Sequence, residues 1–131
     1  MKFIRYVVVA AALAAILAAS AAHAQGTCQK FPQVTWWGKL SHDRVARYVA
    51  RKHDGDWLPY IVKWERQMAK VENVYRRNSR LVIRKRGIVI EGEALGGYLQ
   101  KIRKRVAINR CLAHQAARSA ALDAGTIKEP S

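Results

Sequence analysis

The feature that most constrains the fold is a long apolar periodicity in the middle of the chain. Six large residues follow one another at alternating spacings of four and three: Trp57, Ile61, Trp64, Met68, Val71 and Tyr75. Such spacings return to the same side of an α-helix, so the pattern predicts a helix with one apolar face. The pattern ends near Asn78, which favours a core-facing helix within the domain over the alternative, a coiled-coil seam between two chains.

A short helix is expected before this one, and a third helix after it. Ser41 is a good N-cap for the first helix, and Leu40 and Val45 have the spacing of a hydrophobic staple. The third helix is expected from about Glu93. Its apolar stripe is continued by two alanines and comprises Leu95, Leu99, Ile102, Val106, Ala113 and Ala117.

Between the second and third helices the pattern changes to that of a β-hairpin. The β-branched runs 81–83 and 88–90 flank a glycine-containing turn. With Arg86-Gly87 as the loop, one face of the hairpin is formed by Leu81, Ile83, Ile88 and Ile90. A lone hairpin is marginal in water, so this face must pack on the helices. The predicted fold class is therefore mostly α (α+β), a small three-helix domain with one β-hairpin between helices 2 and 3.

The N-terminus has the three-part organisation of a secretory signal peptide. Lys2 and Arg5 precede an uncharged run of 13 residues from Val7, and Ala22-His23-Ala24 has the small-x-small pattern of a cleavage site. A membrane-spanning helix needs roughly 20 apolar residues, so the run is too short for an anchor. We expect a cleaved signal peptide at 1–24, one small basic domain at 25–122 and a disordered tail at 123–131. The expected location is periplasmic or secreted, in a bacterium.

Two cysteines, Cys28 and Cys111, follow the expected cleavage site. An even number of cysteines in an exported protein favours a disulfide, which here would join the N-terminal arm to the last helix. The alternative is two unrelated thiols. No C-x-x-C or C-x-x-C-H motif occurs, so the sequence indicates neither a thioredoxin-like role nor covalent haem, and no cofactor is expected.

The strongest functional signal is positive charge. The chain has 24 Lys and Arg residues against 9 Asp and Glu, a net charge of +15. Two basic clusters come from elements that are neighbours along the chain, and we expect them to converge on one anion-binding surface: Arg80, Arg84, Lys85, Arg86, Lys101, Arg103, Lys104 and Arg105. Arginine grips phosphate and carboxylate groups by two bonds at once. The alternative is a basic face that is only solvated.

The expected compartment narrows the choice of partner. Nucleic acid is the usual partner of such a patch, but an exported protein rarely meets it. Phosphates of anionic lipids or lipopolysaccharide, or an acidic protein, are the expected partners. The sequence does not indicate an oligomeric state.

A catalytic reading concentrates on the segment RKHDGDW, where His53, Asp54 and Asp56 surround Gly55. A turn explains these residues, with Gly55 closing the first helix and Asp56 capping the second. A metal site that adds His42 lacks the usual zinc spacing, and no hydrolase motif occurs in the chain. The sequence therefore predicts a non-catalytic binding or accessory protein. The alternative is a small cell-envelope hydrolase that uses His53, Asp54 and Asp56.

Overall fold

The computed structural model describes residues 27–125, so the expected signal peptide and residues 126–131 of the expected tail lie outside the described range. The regular elements are, in chain order, α1 (His42–His53), α2 (Trp57–Arg76), β1 (Leu81–Ile83), β2 (Ile88–Ile90) and α3 (Gly92–Asp123). The predicted fold class is confirmed. None of the helices in the described range is long and apolar enough to cross a membrane.

The turn between α1 and α2 is the one that the sequence predicts, with one addition. Asp56 Oδ1 accepts a hydrogen bond from the Leu58 N–H at 3.1 Å and so caps α2. Gly55 has a φ of 81° and donates its N–H to the Val49 carbonyl, which closes α1. Asp54 is also left-handed, with a φ of 52°, a conformation that aspartate tolerates better than most residues. Two consecutive left-handed residues thus reverse the chain.

Helix α2 faces the core, as predicted, because its apolar side packs along α3. The buried face is rotated slightly from the predicted seam. Tyr60 is buried although it lies outside the seam, whereas Tyr75 at the end of the seam is 45% exposed. A straight helix has 3.6 residues per turn and drifts away from a seven-residue repeat, so the buried face shifts around the helix along its length.

The hairpin has the predicted buried face and a longer loop. Ile83 pairs with Ile88, so the loop is the four residues 84–87 instead of Arg86-Gly87 alone. Moving the loop boundary by two residues keeps every side chain on the same side of the pleat. Leu81 and Ile90 are buried, and Ile83 and Ile88 are half-buried, on the face that packs on the helices.

The buried side chains form two clusters that share α3. The hairpin-end core contains Val71, Leu81, Ile90, Leu95, Leu99, Ile102 and Val106. The disulfide-end core contains Cys28, Phe31, Val45, Val49, Tyr60, Ile108 and Leu112. Trp64 borders both clusters. The predicted stripe of α3 is therefore buried up to Val106, after which the buried face moves to Ile108, Asn109 and Leu112, and Ala117 is exposed.

The predicted disulfide between Cys28 and Cys111 is confirmed, with the two Cα atoms 5.8 Å apart. It anchors an arm without regular structure, in which Phe31 and Val34 are buried. The arm then makes a 3₁₀ turn, Thr35–Trp37, whose tryptophans pack against the hairpin-end core. The bridge therefore fixes one end of a segment, residues 27–40, in which a single 3₁₀ turn takes the place of any α-helix or strand.

Candidate anion-binding sites

The tip of the hairpin is a single exposed basic turn. A 3₁₀ turn spans Arg84–Arg86, and Gly87 follows with a φ of 61°. All three turn residues are exposed, as is Arg80 at the start of the hairpin, and none of the four is in an ion pair within residues 27–125. The turn holds three adjacent cations at the end of a short sheet, where they face solvent.

Next to this turn lies an exposed pair of valines. Val82 and Val89 are cross-strand partners on the outer face of the hairpin, and they are 50% and 52% exposed. The hairpin therefore has one aliphatic face against the helices and a second, smaller aliphatic patch that faces solvent beside the basic turn.

The four cations of α3 in the predicted site have four different environments. Lys101 Nζ donates to the Gln33 carbonyl of the arm at 3.2 Å. Arg103 points to the other side, where Nη2 lies 3.8 Å from Glu72 Oε1 on α2. Lys104 is exposed, and Arg105 is buried. Successive residues of a helix are turned by about 100°, so a run of adjacent cations does not form one patch.

Arg105 is the residue whose position differs most from the expectation of an exposed basic cluster. It is only 6% exposed, and its guanidinium carbon lies 3.4 Å from the ring centre of Trp64 and 4.6 Å from that of Trp37. Its Nη2 donates to the Tyr60 hydroxyl at 3.3 Å. Burial lowers the pKa of Arg105 below its ordinary value, and the hydrogen bond with Tyr60 opposes that shift.

The apolar stripe of α3 carries a signal for this burial. Arg105 lies three residues after Ile102 and directly before Val106, so it falls on the side of α3 that faces the core. An arginine within an apolar stripe is expected to lie against aromatic residues, because its planar cation stacks on their faces.

A cavity of about 210 Å³ opens between the three helices beside Arg105. Its lining includes three aromatic and three cationic side chains: Tyr48, Tyr60, Trp64, Arg44, Lys63 and Arg105. No acidic side chain within residues 27–125 lines it. Arg44 Nη1 donates to the Lys39 carbonyl at 2.9 Å, while Lys63 makes no ion pair within residues 27–125. This cavity was not predicted, since its walls come from elements far apart in the sequence.

Four buried side-chain polar atoms have no hydrogen-bond partner in the described part of the chain. They are Nε of Arg105, Nε1 of Trp64, and both side-chain polar atoms of Asn109. Arg105 and Trp64 line the cavity, whereas Asn109 lies one helical turn further along α3. Two residues that line the cavity thus each have an N–H group without an acceptor within residues 27–125.

The three residues of the hydrolase alternative serve the turn between α1 and α2. The half-buried ring of His53 packs against the rings of Tyr48 and Tyr60, at 6.1 and 6.5 Å between centres. Asp54 is exposed and Asp56 caps α2. Within residues 27–125 no group of three or more His, Cys, Asp or Glu side chains could hold a metal ion. His42, the other histidine of that hypothesis, hydrogen-bonds the Gln29 carbonyl at 2.7 Å.

Comparison of the chain with known protein families, with curated proteins and with solved structures finds no match.

Proposed function

We propose that this protein is a non-catalytic binding or accessory protein of the bacterial cell envelope, and that its hairpin binds the phosphates of an anionic lipid surface. The observation that carries the proposal is the exposed turn Arg84–Arg86 beside the exposed pair Val82 and Val89. The signal peptide expected at 1–24 supports a periplasmic or secreted location, and the Cys28–Cys111 bridge is compatible with an oxidising compartment.

Charge complementarity favours an anionic partner at the hairpin. No acidic residue occurs between Glu72 and Glu91, and this stretch contains six basic ones: Arg76, Arg77, Arg80, Arg84, Lys85 and Arg86. Arg76 pairs with Glu72, and the other five make no ion pair in the described range. Cations without an internal counter-ion are available to phosphates, and each is worth on the order of 1 kcal/mol near an anionic membrane surface.

The exposed valines favour a lipid surface over a soluble acidic protein. A membrane interface places phosphates next to the headgroup-proximal part of the acyl chains, so it offers partners to both the cations and the valines. Lipopolysaccharide and anionic phospholipids share this chemistry. A soluble polyanion would neutralise Arg84, Lys85 and Arg86 and leave Val82 and Val89 exposed to water.

Binding to vesicles tests the proposal. We expect the protein to bind vesicles that contain phosphatidylglycerol and not vesicles of phosphatidylcholine alone. The triple variant Arg84→Gln/Lys85→Gln/Arg86→Gln should bind about 100-fold more weakly, since three contacts of on the order of 1 kcal/mol are lost. The matched control is Arg47→Gln/Arg51→Gln/Lys52→Gln, which removes the same charge from exposed positions on α1 and should lose less than tenfold.

Two further measurements separate the alternatives. Val82→Thr/Val89→Thr keeps every charge and should weaken vesicle binding several-fold while leaving binding to soluble polyglutamate unchanged. Equal losses in the two triple variants would mean that only the overall charge matters and would contradict a hairpin site. Binding to polyglutamate that is as tight as binding to vesicles would favour an acidic protein as the partner.

A further inference from the structure

The cavity between α1, α2 and α3 is rich in hydrogen-bond donors and poor in acceptors. The N–H groups of Arg105 Nε and Trp64 Nε1 are buried in its wall without an acceptor in residues 27–125. Native proteins leave few buried donors unpaired, because each costs free energy that a partner would recover. Both nitrogens are almost fully shielded from solvent, so they mark a donor-rich wall and are not themselves the contact atoms of a ligand.

The charges of the cavity are equally one-sided. Arg105 is 94% buried and has no carboxylate partner in the described part of the chain, and two more cations, Arg44 and Lys63, also line the cavity. Burying a charge without a counter-ion is costly, and stacking on Trp64 and Trp37 offsets only part of that cost. The positive charge of these three side chains therefore favours an anionic ligand.

The walls determine the shape of that anion. Stacking on Trp64 covers the face of the Arg105 guanidinium and leaves its in-plane N–H groups, one of which donates to Tyr60. Two parallel in-plane N–H groups match the two oxygens of a carboxylate. The aromatic rings of Tyr48, Tyr60 and Trp64 surround the remaining space, which suits an apolar body better than the further charged oxygens of a phosphate.

We propose that this cavity binds a small organic carboxylate with an aromatic or apolar body. The carboxylate accepts from Arg105, and the body packs between the tyrosine and tryptophan rings. Arg44 and Lys63 raise the local concentration of anions through their positive potential. This site uses none of the hairpin residues, so the experiments below test it independently of the proposed lipid binding.

A pair of matched probes tests the proposal. Phenylacetate and 2-phenylacetamide have the same aromatic body and nearly the same shape, and they differ in the charge of the head group. We expect phenylacetate to bind at least tenfold more tightly by isothermal titration calorimetry. In ¹H–¹⁵N spectra, phenylacetate should shift the side-chain Nε–H signals of Arg105 and Trp64, while the amide should shift them little.

Variants locate the binding to the cavity. Arg105→Met keeps an apolar stem between the tryptophans and should abolish the preference for phenylacetate over the amide. Should Arg105→Met fail to fold, Arg44→Gln/Lys63→Gln should weaken phenylacetate binding three- to tenfold. Arg47→Gln/Arg51→Gln removes the same charge from residues of α1 that do not line the cavity, and it should leave the affinity within twofold.

Four results would overturn the proposal. One is equal binding of phenylacetate and 2-phenylacetamide. Another is phenylacetate binding that leaves the Arg105 and Trp64 signals unmoved, which would place the ligand elsewhere. The third is no binding of phenylacetate at millimolar concentration, the outcome expected of a cavity that holds only water. Binding of phenylphosphonate in the absence of phenylacetate binding would likewise rule out the carboxylate assignment.

Discussion

The two cores of this small domain are held together in different ways. In the hairpin-end core every buried residue is aliphatic and comes from a helix or a strand. The disulfide-end core includes Cys28 and Phe31 from the arm, which has no regular structure, and the short helix α1. Regular elements satisfy their own backbone groups, so apolar burial is enough to hold them. An irregular arm does not satisfy its backbone groups in this way, and here a disulfide holds it in position.

The largest effect is expected on removal of the bridge. The variant Cys28→Ser/Cys111→Ser opens a loop with a sequence separation of 83 residues and should lower the free energy of unfolding by about 4 kcal/mol. Urea denaturation followed by circular dichroism measures this loss. Hydrogen exchange should show a larger loss of protection in the arm and α1 than in the hairpin. Uniform loss across both cores would contradict the distinction between them.

Somewhat smaller effects are expected from truncating one buried side chain in each of the two cores. Ile102→Ala in the hairpin-end core, where Ile102 is 1% exposed, should cost about 3 kcal/mol. Val49→Ala in the disulfide-end core removes fewer atoms and should cost about 2 kcal/mol. In a double-mutant cycle, Ile102→Ala should add to the loss of the bridge, whereas Val49→Ala should deviate from additivity by at least about 0.5 kcal/mol. Deviation from additivity at Ile102 alone would mean that the bridge stabilises the hairpin-end core instead of the disulfide-end core.

The smallest effect concerns two adjacent glycines of α3. A Cβ on Gly97 would meet no atom within 4 Å, so Gly97→Ala should stabilise the protein by about 0.5–1 kcal/mol through helix propensity. A Cβ on Gly96 would lie 3.2 Å from Tyr75 Cε2, so Gly96→Ala should gain less. Thermal unfolding of the two variants provides the measurement. A larger gain at Gly96 would mean that Tyr75 does not constrain this position.

The hairpin-end core was the more predictable of the two from sequence. The spacing of apolar residues predicts the buried stripe Leu95, Leu99, Ile102 and Val106. The alternation of side chains predicts the buried face of the hairpin. Both patterns are local, so they survive any rotation of one element against another.

The disulfide-end core and the cavity could be predicted only in part. The bridge is predicted from the two cysteines, and the turn around Gly55 from the preference of glycine and aspartate for helix ends. Tyr60 and Asn109 escaped prediction because they are buried by helix packing, which a repeat of seven does not encode. Arg105 was counted with its basic neighbours because charge was read along the chain instead of around the helix. The cavity forms only where three helices meet, so no single segment of the sequence predicts it.

The position of α3 in the chain has a consequence for the order of events during synthesis. Both cores include residues of this last helix, and Cys111 follows Cys28 by 83 residues. A chain that emerges from its N-terminus therefore cannot complete either core, or close its bridge, until nearly all of the domain is available. Earlier segments lack the α3 residues of both cores, and the domain is expected to assemble in one late, cooperative step. A nascent chain that ends before α3 should stay unfolded and open to proteases.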